Sequence, residues 1–271
     1  MSTRLVLVGC GHMGHAMLAG WIASGKIAAH EIIVVEPNEV LRNRAAALGC
    51  TVAPDAGTLP QDLAPDIIVI AVKPQAIEEV LAHYTRFGNG KTAFVSIAAG
   101  TGVATFEKIL GDKTPIIRCM PNIPAAIGKG MMVVFATDRV TETARAFVAD
   151  LLSASGEVAT IDDEKLMDAV TAVSGSGPGY VFHFIEALTA AARAAGLPDK
   201  TAARLALQTI YGSAVMAVES GEEPGVLRQK VTSYKGTTAA GLDVLMGENG
   251  LTRLLTETVE AARKRSIELG S

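Results

Sequence analysis

Aromatic side chains are scarce here: one Trp, four Tyr and seven Phe among 271 residues. A core short of large rings must be filled by Val, Ile, Leu and Ala. That suits closely packed helices and tight strand-to-helix turns rather than an all-β sandwich. Cysteine is rarer still. Cys10, Cys50 and Cys119 lie far apart with no CxxC spacing, so they outline neither a disulfide framework nor a metal site. A reducing, cytoplasmic compartment is expected. The histidines, His12, His15, His30, His83 and His183, are scattered and form no metal-ligand cluster. No uninterrupted apolar run approaches the roughly 20 residues that a bilayer span needs. The opening MSTRLVLVG enters a strand with no basic segment and long apolar run of a targeting signal. Neither a membrane nor a nucleic acid is an expected partner, because the net charge is −4. The one basic cluster, ARKRS at 262–266, closes a helix, where cations suit the dipole.

About half of the residues (49%) are hydrophobic and 19% are charged, enough to bury a sizeable core. In the first part of the chain, strands rich in Val and Ile alternate with helical stretches. RLVLV (4–8), EIIVVE (31–36), DIIVIAV (66–72), TAFVSIA (92–98) and TPIIRCM (114–120) are separated by stretches such as AIEEVLAHY (76–84) and 103–110. Strands without polar alternation are buried on both faces, as in parallel sheets. Repeated strand–helix–strand units mean a doubly wound α/β domain with right-handed crossovers. MMVVFA (131–136) and EVATI (157–161) finish the sheet around a helix at 141–152. From residue 162 the strands disappear. Helices are expected at 163–173, 178–195, 201–219, 226–231, 238–246 and 251–269. The division is therefore a dinucleotide-binding domain over 1–161 and a helical domain over 162–271. The helix from Pro178 is apolar nearly all round, which demands burial in a core or against another subunit.

Gly9-Cys10-Gly11-His12-Met13-Gly14 is a GxGxxG directly after the first strand and at the mouth of a helix. The first glycine permits a tight turn, the second lets backbone approach a pyrophosphate, and the third lets helix and strand pack. Helix N–H groups and the positive dipole end then face the phosphates. Glu36 ends the second strand, 22 residues after Gly14, where an acid accepts bonds from adenosine ribose hydroxyls and favours NAD over NADP. Arg42 and Arg44 follow closely enough to reach a 2′-phosphate instead. AVKPQ (71–75) and SIAAG (96–100) close further strands in the layer where ligands of doubly wound sheets bind. Pro74 holds Lys73 extended. Asn122, in MPNIP, is either a rigid loop residue or a polar group aimed into the cleft.

The C-terminal part carries GSGPGY (175–180) opening a helix, and VTSYKGTTAAG (231–241) before another. Ser233 or Thr237 there is a candidate helix cap, or the stretch is an anion pocket on a helix N-terminus. Together with AVKPQ, RCMPNIPAAIGKG and the closing AARKRSIELG, these motifs resemble pyrroline-5-carboxylate reductases over residues 4–270. The resemblance implies a Rossmann domain followed by an all-α dimerisation domain, with dimers often joined into larger rings. It implies hydride transfer from NADPH or NADH to the C=N bond of pyrroline-5-carboxylate, giving L-proline. Implied cofactor contacts are Val8, Gly9, Cys10, Gly11, His12, Met13, Glu36, Ala71, Val72, Lys73, Pro74, Ile97, Ala98 and Ala99. Implied substrate contacts are Glu164, Ser233, Gly236, Thr237 and Thr238, in a pocket that a neighbouring subunit's helices complete. The chemistry agrees independently. The substrate carboxylate suits the N–H groups of Gly236, Thr237 and Thr238, and the Thr238 hydroxyl suits an iminium as acceptor.

One departure stands out: Tyr234-Lys235 occupy the place of the family's usual Pro-Gly. If that position needs φ > 0, Lys235 is strained by roughly 1–2 kcal/mol. Three alternatives compete. A β-hydroxyacid dehydrogenase needs a proton-donating Lys, usually on the helix after GSGPGY, which offers His183 and no Lys before Arg193. A reductase of larger cyclic imines is not distinguished, because pocket volume is not readable from sequence. A catalytically silent nucleotide-binding subunit is motivated only by the altered TSYKGTT loop.

Overall fold

The computed structural model describes residues 3–270. Strands and helices alternate from the start: β1 (Leu5–Val8), α1 (His12–Ala23), β2 (Ile32–Val35), α2 (Glu39–Ala46), β3 (Thr51–Ala53), β4 (Ile67–Ile70), α3 (Ile77–Ala82), β5 (Ala93–Ser96), α4 (Val103–Leu110), β6 (Ile116–Met120), β7 (Gly130–Ala136), α5 (Glu142–Ser153) and β8 (Gly156–Thr160). Helices follow: α6 (Met167–Val170), α7 (Gly177–Ala194), α8 (Asp199–Ser220), α9 (Pro224–Lys230), α10 (Thr237–Leu245) and α11 (Leu251–Gly270).

One sheet contains all eight strands, in the order β3-β2-β1-β4-β5-β6-β7-β8. Every residue of β1, β2, β4 and β5 is buried. Because successive side chains point to opposite faces, the strands feed two separate cores. Leu5, Leu7, Ile32, Val34, Ile67 and Val69 pack with Met17, Leu18 and Trp21 of α1. Val6, Val8, Ile33, Ile68 and Ile70 pack with Leu81, Tyr84 and Phe106 on the other face. Each fully buried aliphatic side chain contributes about 1.5–3 kcal/mol, so the consecutive Val/Ile runs hold both layers at once. Polar side chains fix the ends of two of the covering helices. Asn38 Oδ1 accepts from Leu41 N at 3.1 Å at the start of α2, and Thr141 Oγ1 accepts from Ala144 N at 3.2 Å at the start of α5.

The sheet departs from the expected pattern in two places. β3 pairs with β2 at the edge although its three residues carry no apolar run. β7 runs antiparallel to β6. Residues 121–129 between them are too few for a parallel crossover, which needs a dozen or more, so the chain turns straight back.

Compactness divides the chain at a different point from the change of composition at 161/162. Residues up to Gly175 and those from Ala262 onward group with the sheet, and Ser176–Ala261 form a second unit. Specific bonds explain why the early helical residues stay with the sheet. Glu164 Oε1 accepts from Val103 N and from Arg118 Nη1, each at 2.7 Å. Asn122 Nδ2 donates to the Ser174 carbonyl at 3.0 Å, and Ser266 Oγ donates to Asp168 Oδ1 at 2.6 Å. The single helix expected over 163–173 is broken into a 3₁₀ turn (Glu164–Leu166), α6 and a π turn (Thr171–Gly175). Thr171 and Ser174 hydroxyls bond back to the Met167 and Val170 carbonyls, competing with the regular ladder where it widens.

In the second unit α7 packs along α8, yet Ala202 and Ala206 are the buried side chains of the whole unit among the described residues. Val181, Phe182, Leu205, Leu207, Tyr211 and Met216 are all exposed in the single chain. The loop between α9 and α10 has the backbone anticipated from the missing glycine: Lys235 adopts φ 53°. Left-handed backbone costs a residue with a Cβ about 1–2 kcal/mol, and glycine forfeits about 0.5–1 kcal/mol of unfolded-state entropy. Lys235→Gly should therefore raise the stability of the purified protein by about 0.5 kcal/mol net. Denaturant unfolding measures this, and a loss of stability would show that the lysine side chain holds the loop.

Candidate functional site

The chain leaves β1 toward β2 and β3 on one side, and returns to place β4, β5 and β6 on the other. Between β1 and β4 lies the topological switch point, where the loops following the strands diverge and leave a crevice. A cleft of about 650 Å³ opens there. It is lined by Val8, Gly9, Gly11, Glu36, Ala71, Val72 and Lys73, together with Leu41, Asp55, Glu79, His83 and Tyr84.

The glycine loop fits a dinucleotide in detail. Gly9 has φ 88°, and a Cβ there would stand 2.7 Å from the Ala71 carbonyl oxygen. A Cβ on Gly14 would meet the Gly9 carbonyl oxygen at 2.6 Å, so the strand, turn and α1 close together only without side chains. At Gly11 a Cβ would meet nothing within 4 Å. That glycine is not demanded by the protein's own packing, and its bareness leaves room for a ligand to approach the backbone. Gly11 is also the N-cap of α1 and carries no side-chain cap, which leaves the first-turn N–H groups available to phosphate oxygens. The buried Tyr84 hydroxyl, a residue of the cleft lining, has no hydrogen-bond partner among the described residues.

Glu36 is buried. Its Oε2 accepts the Cys10 N–H at 2.7 Å and its Oε1 the Asn38 N–H at 2.9 Å, so the acid that ends β2 is tied to the glycine loop. Cys10 itself faces the core. Burial, with the Glu36 carboxylate nearby, pushes its thiol up to about 11, and burial alone lifts Cys119 to about 12. Neither is a thiolate nucleophile at neutral pH. His12 is exposed at the first position of α1, while Met13 packs on the core beneath. Lys73 is extended (ψ 145°) before Pro74, as the proline requires. Both residues are exposed at the rim.

Ile97, Ala98 and Ala99 leave β5 in the same layer, with Ile97 N–H bonded to the Ile70 carbonyl at 3.1 Å. The turn continues through Gly100 to Gly102, the N-cap of α4, where the Glu164 carboxylate receives the Val103 N–H. Glu164 thus belongs to the sheet unit and to this turn. It lines a cavity of about 320 Å³ with Gly100, Arg118, Lys165 and Asp168. The partner Arg118 was not singled out from sequence, although a cation inside the strand IIRCM requires a buried counter-charge. Asn122 is a structural residue: its amide donates to Ser174, and its Oδ1 accepts from Met131 N at 2.9 Å.

Ser233, Gly236, Thr237 and Thr238 lie together in the second unit. Gly236 is the N-cap of α10 with no side-chain cap, so neither Ser233 nor Thr237 satisfies the helix start. The first-turn N–H groups are left for another acceptor, which favours the anion pocket over the capping residue. The Lys235 ammonium lies 5.3 Å from the centre of the Tyr234 ring. His183, on α7, is exposed and pairs with Glu186 at 3.2 Å. Among the described residues, no group of three His, Cys, Asp or Glu side chains could hold a metal ion.

Comparisons with known proteins find matches along the whole chain. The family model described as pyrroline-5-carboxylate reductase dimerisation matches residues 164–269. A second, described as NADP oxidoreductase coenzyme F420-dependent, matches residues 4–100. A pyrroline-5-carboxylate reductase of Synechocystis sp. is 41% identical over 100% of this chain and 99% of its own. The Escherichia coli enzyme of that name is 38% identical, covering 99% of each. The solved structure of a pyrroline-5-carboxylate reductase from Coxiella burnetii superposes with a TM-score of 0.93 at 32% identity, covering 100% of both chains. One from Plasmodium falciparum, with NADP bound, gives 0.84 at 31% identity over 99% and 98%.

Two glycine substitutions separate folding from binding. Gly9→Ala should destabilise the protein by about 1–3 kcal/mol through strain and clash. Gly11→Ala should leave the unfolding midpoint within about 0.5 kcal/mol of the parent, yet weaken dinucleotide binding by tenfold or so. Thermal unfolding and fluorescence titration with NADH and NADPH measure the two effects. Equal loss of stability in both variants would refute the division of labour.

Proposed function

The chain belongs to the pyrroline-5-carboxylate reductase family, and on that premise we propose how its residues reduce L-1-pyrroline-5-carboxylate to L-proline with NADH or NADPH. When bound, the reduced nicotinamide supplies the hydride. The rest is binding, orientation and exclusion of water. Val8 to Gly14 cradle the pyrophosphate on the α1 N-terminus, and Glu36 receives the adenosine ribose. Ala71 to Pro74 and Ile97 to Ala99 line the nicotinamide side with small groups.

The substrate has a carboxylate and an imine nitrogen, and the α10 N-terminus suits the first. Thr237 and Thr238 N–H groups bind the carboxylate with Ser233 and Gly236 beside them, a fixed dipole that needs no cation; the Gly236 N–H itself is taken by the Ser233 carbonyl at 3.0 Å. The Thr238 hydroxyl accepts a hydrogen bond from the protonated ring nitrogen and so fixes which face of the C=N bond is presented. A protonated imine is already electrophilic, so no strong general acid is required. Glu164 is assigned to the substrate as an acceptor through its second carboxylate oxygen, since Oε1 is taken by Val103 N–H and Arg118. The single observation that carries this reading is the uncapped start of α10, with its two threonines, in a chain that also builds a dinucleotide cradle.

We assign residues 1–161 to dinucleotide binding and residues 162–271 to dimerisation and substrate. This functional division differs from the compact units, where residues up to Gly175 and from Ala262 group with the sheet. The partner is a second copy. α7 carries no buried residue in the isolated chain, and its exposed Val181 and Phe182 suit a self-complementary interface. We place the homodimer, and rings of dimers, in the cytoplasm. No helix among the described residues is long and apolar enough to cross a membrane.

Purified protein given pyrroline-5-carboxylate should oxidise NADH or NADPH and release proline. Cofactor binding without oxidation would redirect the search to other cyclic imines. Thr238→Val should lower kcat about 100-fold through lost positioning while leaving nucleotide affinity unchanged. Phe182→Asp should shift the protein to monomer in light scattering, and a dimer retained at full strength would dismiss this face as the interface.

A further inference from the structure

We infer that the chain discriminates between the two nicotinamide dinucleotides and prefers NADH, because Glu36 meets the adenosine 2′ position while Arg42 Nη1 is turned to backbone carbonyls. The inference rests on the dinucleotide-binding reading above and adds the choice of nucleotide. Sequence left two opposed features there, an acid at the end of β2 and the basic pair Arg42 and Arg44. The structure distinguishes them. Glu36 is 6% exposed, yet lines the cleft. Bonds from Cys10 N at 2.7 Å and Asn38 N at 2.9 Å fix both carboxylate oxygens, so the side chain cannot swing aside for a bulky anion. A carboxylate has about four acceptor sites, so two backbone donors leave capacity for ribose hydroxyls. A 2′-phosphate has no comparable proton to offer, and brings like charge to a fixed charge in a crevice.

A compensating cation would rescue phosphate binding, and Arg42 is the natural candidate. Its Nη1 instead donates to the Glu36 and Pro37 carbonyls, both at 2.9 Å, tying the first turns of α2 to the strand end. The described residues lining the cleft include neither Arg42 nor Arg44. They do include Asp55 and Glu79 beside Glu36, against Lys73 and His83. Three carboxylates against one lysine in the lining disfavour added negative charge there, while Arg44, outside the lining, acts on Cys10 in the glycine loop. Glu36 also couples nucleotide choice to the shape of the glycine loop, since the group that rejects the phosphate holds Cys10 N–H.

The test is calorimetric titration of the purified protein with NADH and with NADPH, without any imine present. NADH should bind at least about tenfold more tightly, since juxtaposed like charges carry that scale of penalty. Equal affinities, or tighter NADPH, overturn the inference while leaving the dinucleotide site intact. Binding of neither overturns the site itself and the inference with it. Glu36→Gln, which keeps an acceptor for Cys10 N–H, should tighten NADPH by about tenfold and weaken NADH. Arg42→Gln should leave the ratio of the two affinities unchanged, and a selective loss of NADPH binding overturns the assignment. Should Glu36→Gln fail to fold by circular dichroism, the parent ratio and Arg42→Gln still decide.

Discussion

The close approach of two strand ends, at Gly9 and Ala71, is the constraint on which the sheet unit depends. β1 and β4 are neighbours in the sheet, yet the chain departs from them toward opposite edges. Their following loops must touch at the base and separate at the top. The bare Cα of Gly9 against the Ala71 carbonyl permits the first, and the diverging connections produce the second. The phosphate cradle, the Glu36 clamp and the cleft walls all follow from that junction. Even the double-sided burial of β1 and β4 serves it, because a strand gripped on both faces cannot shift to relieve a crowded turn.

The proposed chemistry uses backbone more than side chains. Both anionic groups, pyrophosphate and substrate carboxylate, are assigned to helix starts whose N-caps are glycines with no side-chain cap, Gly11 and Gly236. A glycine N-cap leaves the N–H groups both unsatisfied and unobstructed, where Ser or Asp would have filled them. Several charged side chains also hold the architecture. Arg118 and Glu164 join the start of α4 to β6, and Arg42 closes the end of β2.

Much of this was legible in the sequence because the signals are local and strong. The Val/Ile runs located seven of the eight strands, and α4 begins and ends where its residues predicted. The strand β3 escaped because its pairing comes from its neighbour rather than from its own three residues. The reversal at β7 is a matter of connection length, not of strand composition. The π turn before α7 combines hydroxyl bonds within the turn with one tertiary bond from Asn122, which sequence left undecided between two roles. For the site, the glycine loop and Glu36 were readable as a motif with known spacing. Which cation would face Glu36 was not, because the direction of Arg42 depends on carbonyls presented by the fold. The left-handed Lys235 was anticipated only through the resemblance, since the residue itself argues against that backbone.

The second unit has another consequence. Its helices are long and regular, but its interior amounts to two alanines, and its large apolar side chains lie on the outside of the single chain. Such a unit has little cohesion of its own to set against the conformational entropy of ordering its residues. With a second copy covering that skin, folding and association become one equilibrium, and stability acquires a dependence on how much protein is present. Each tenfold dilution then subtracts about 1.4 kcal/mol per dimer from the balance. Dilution alone, with no change of temperature or pH, then acts as a denaturant for the Ser176–Ala261 unit.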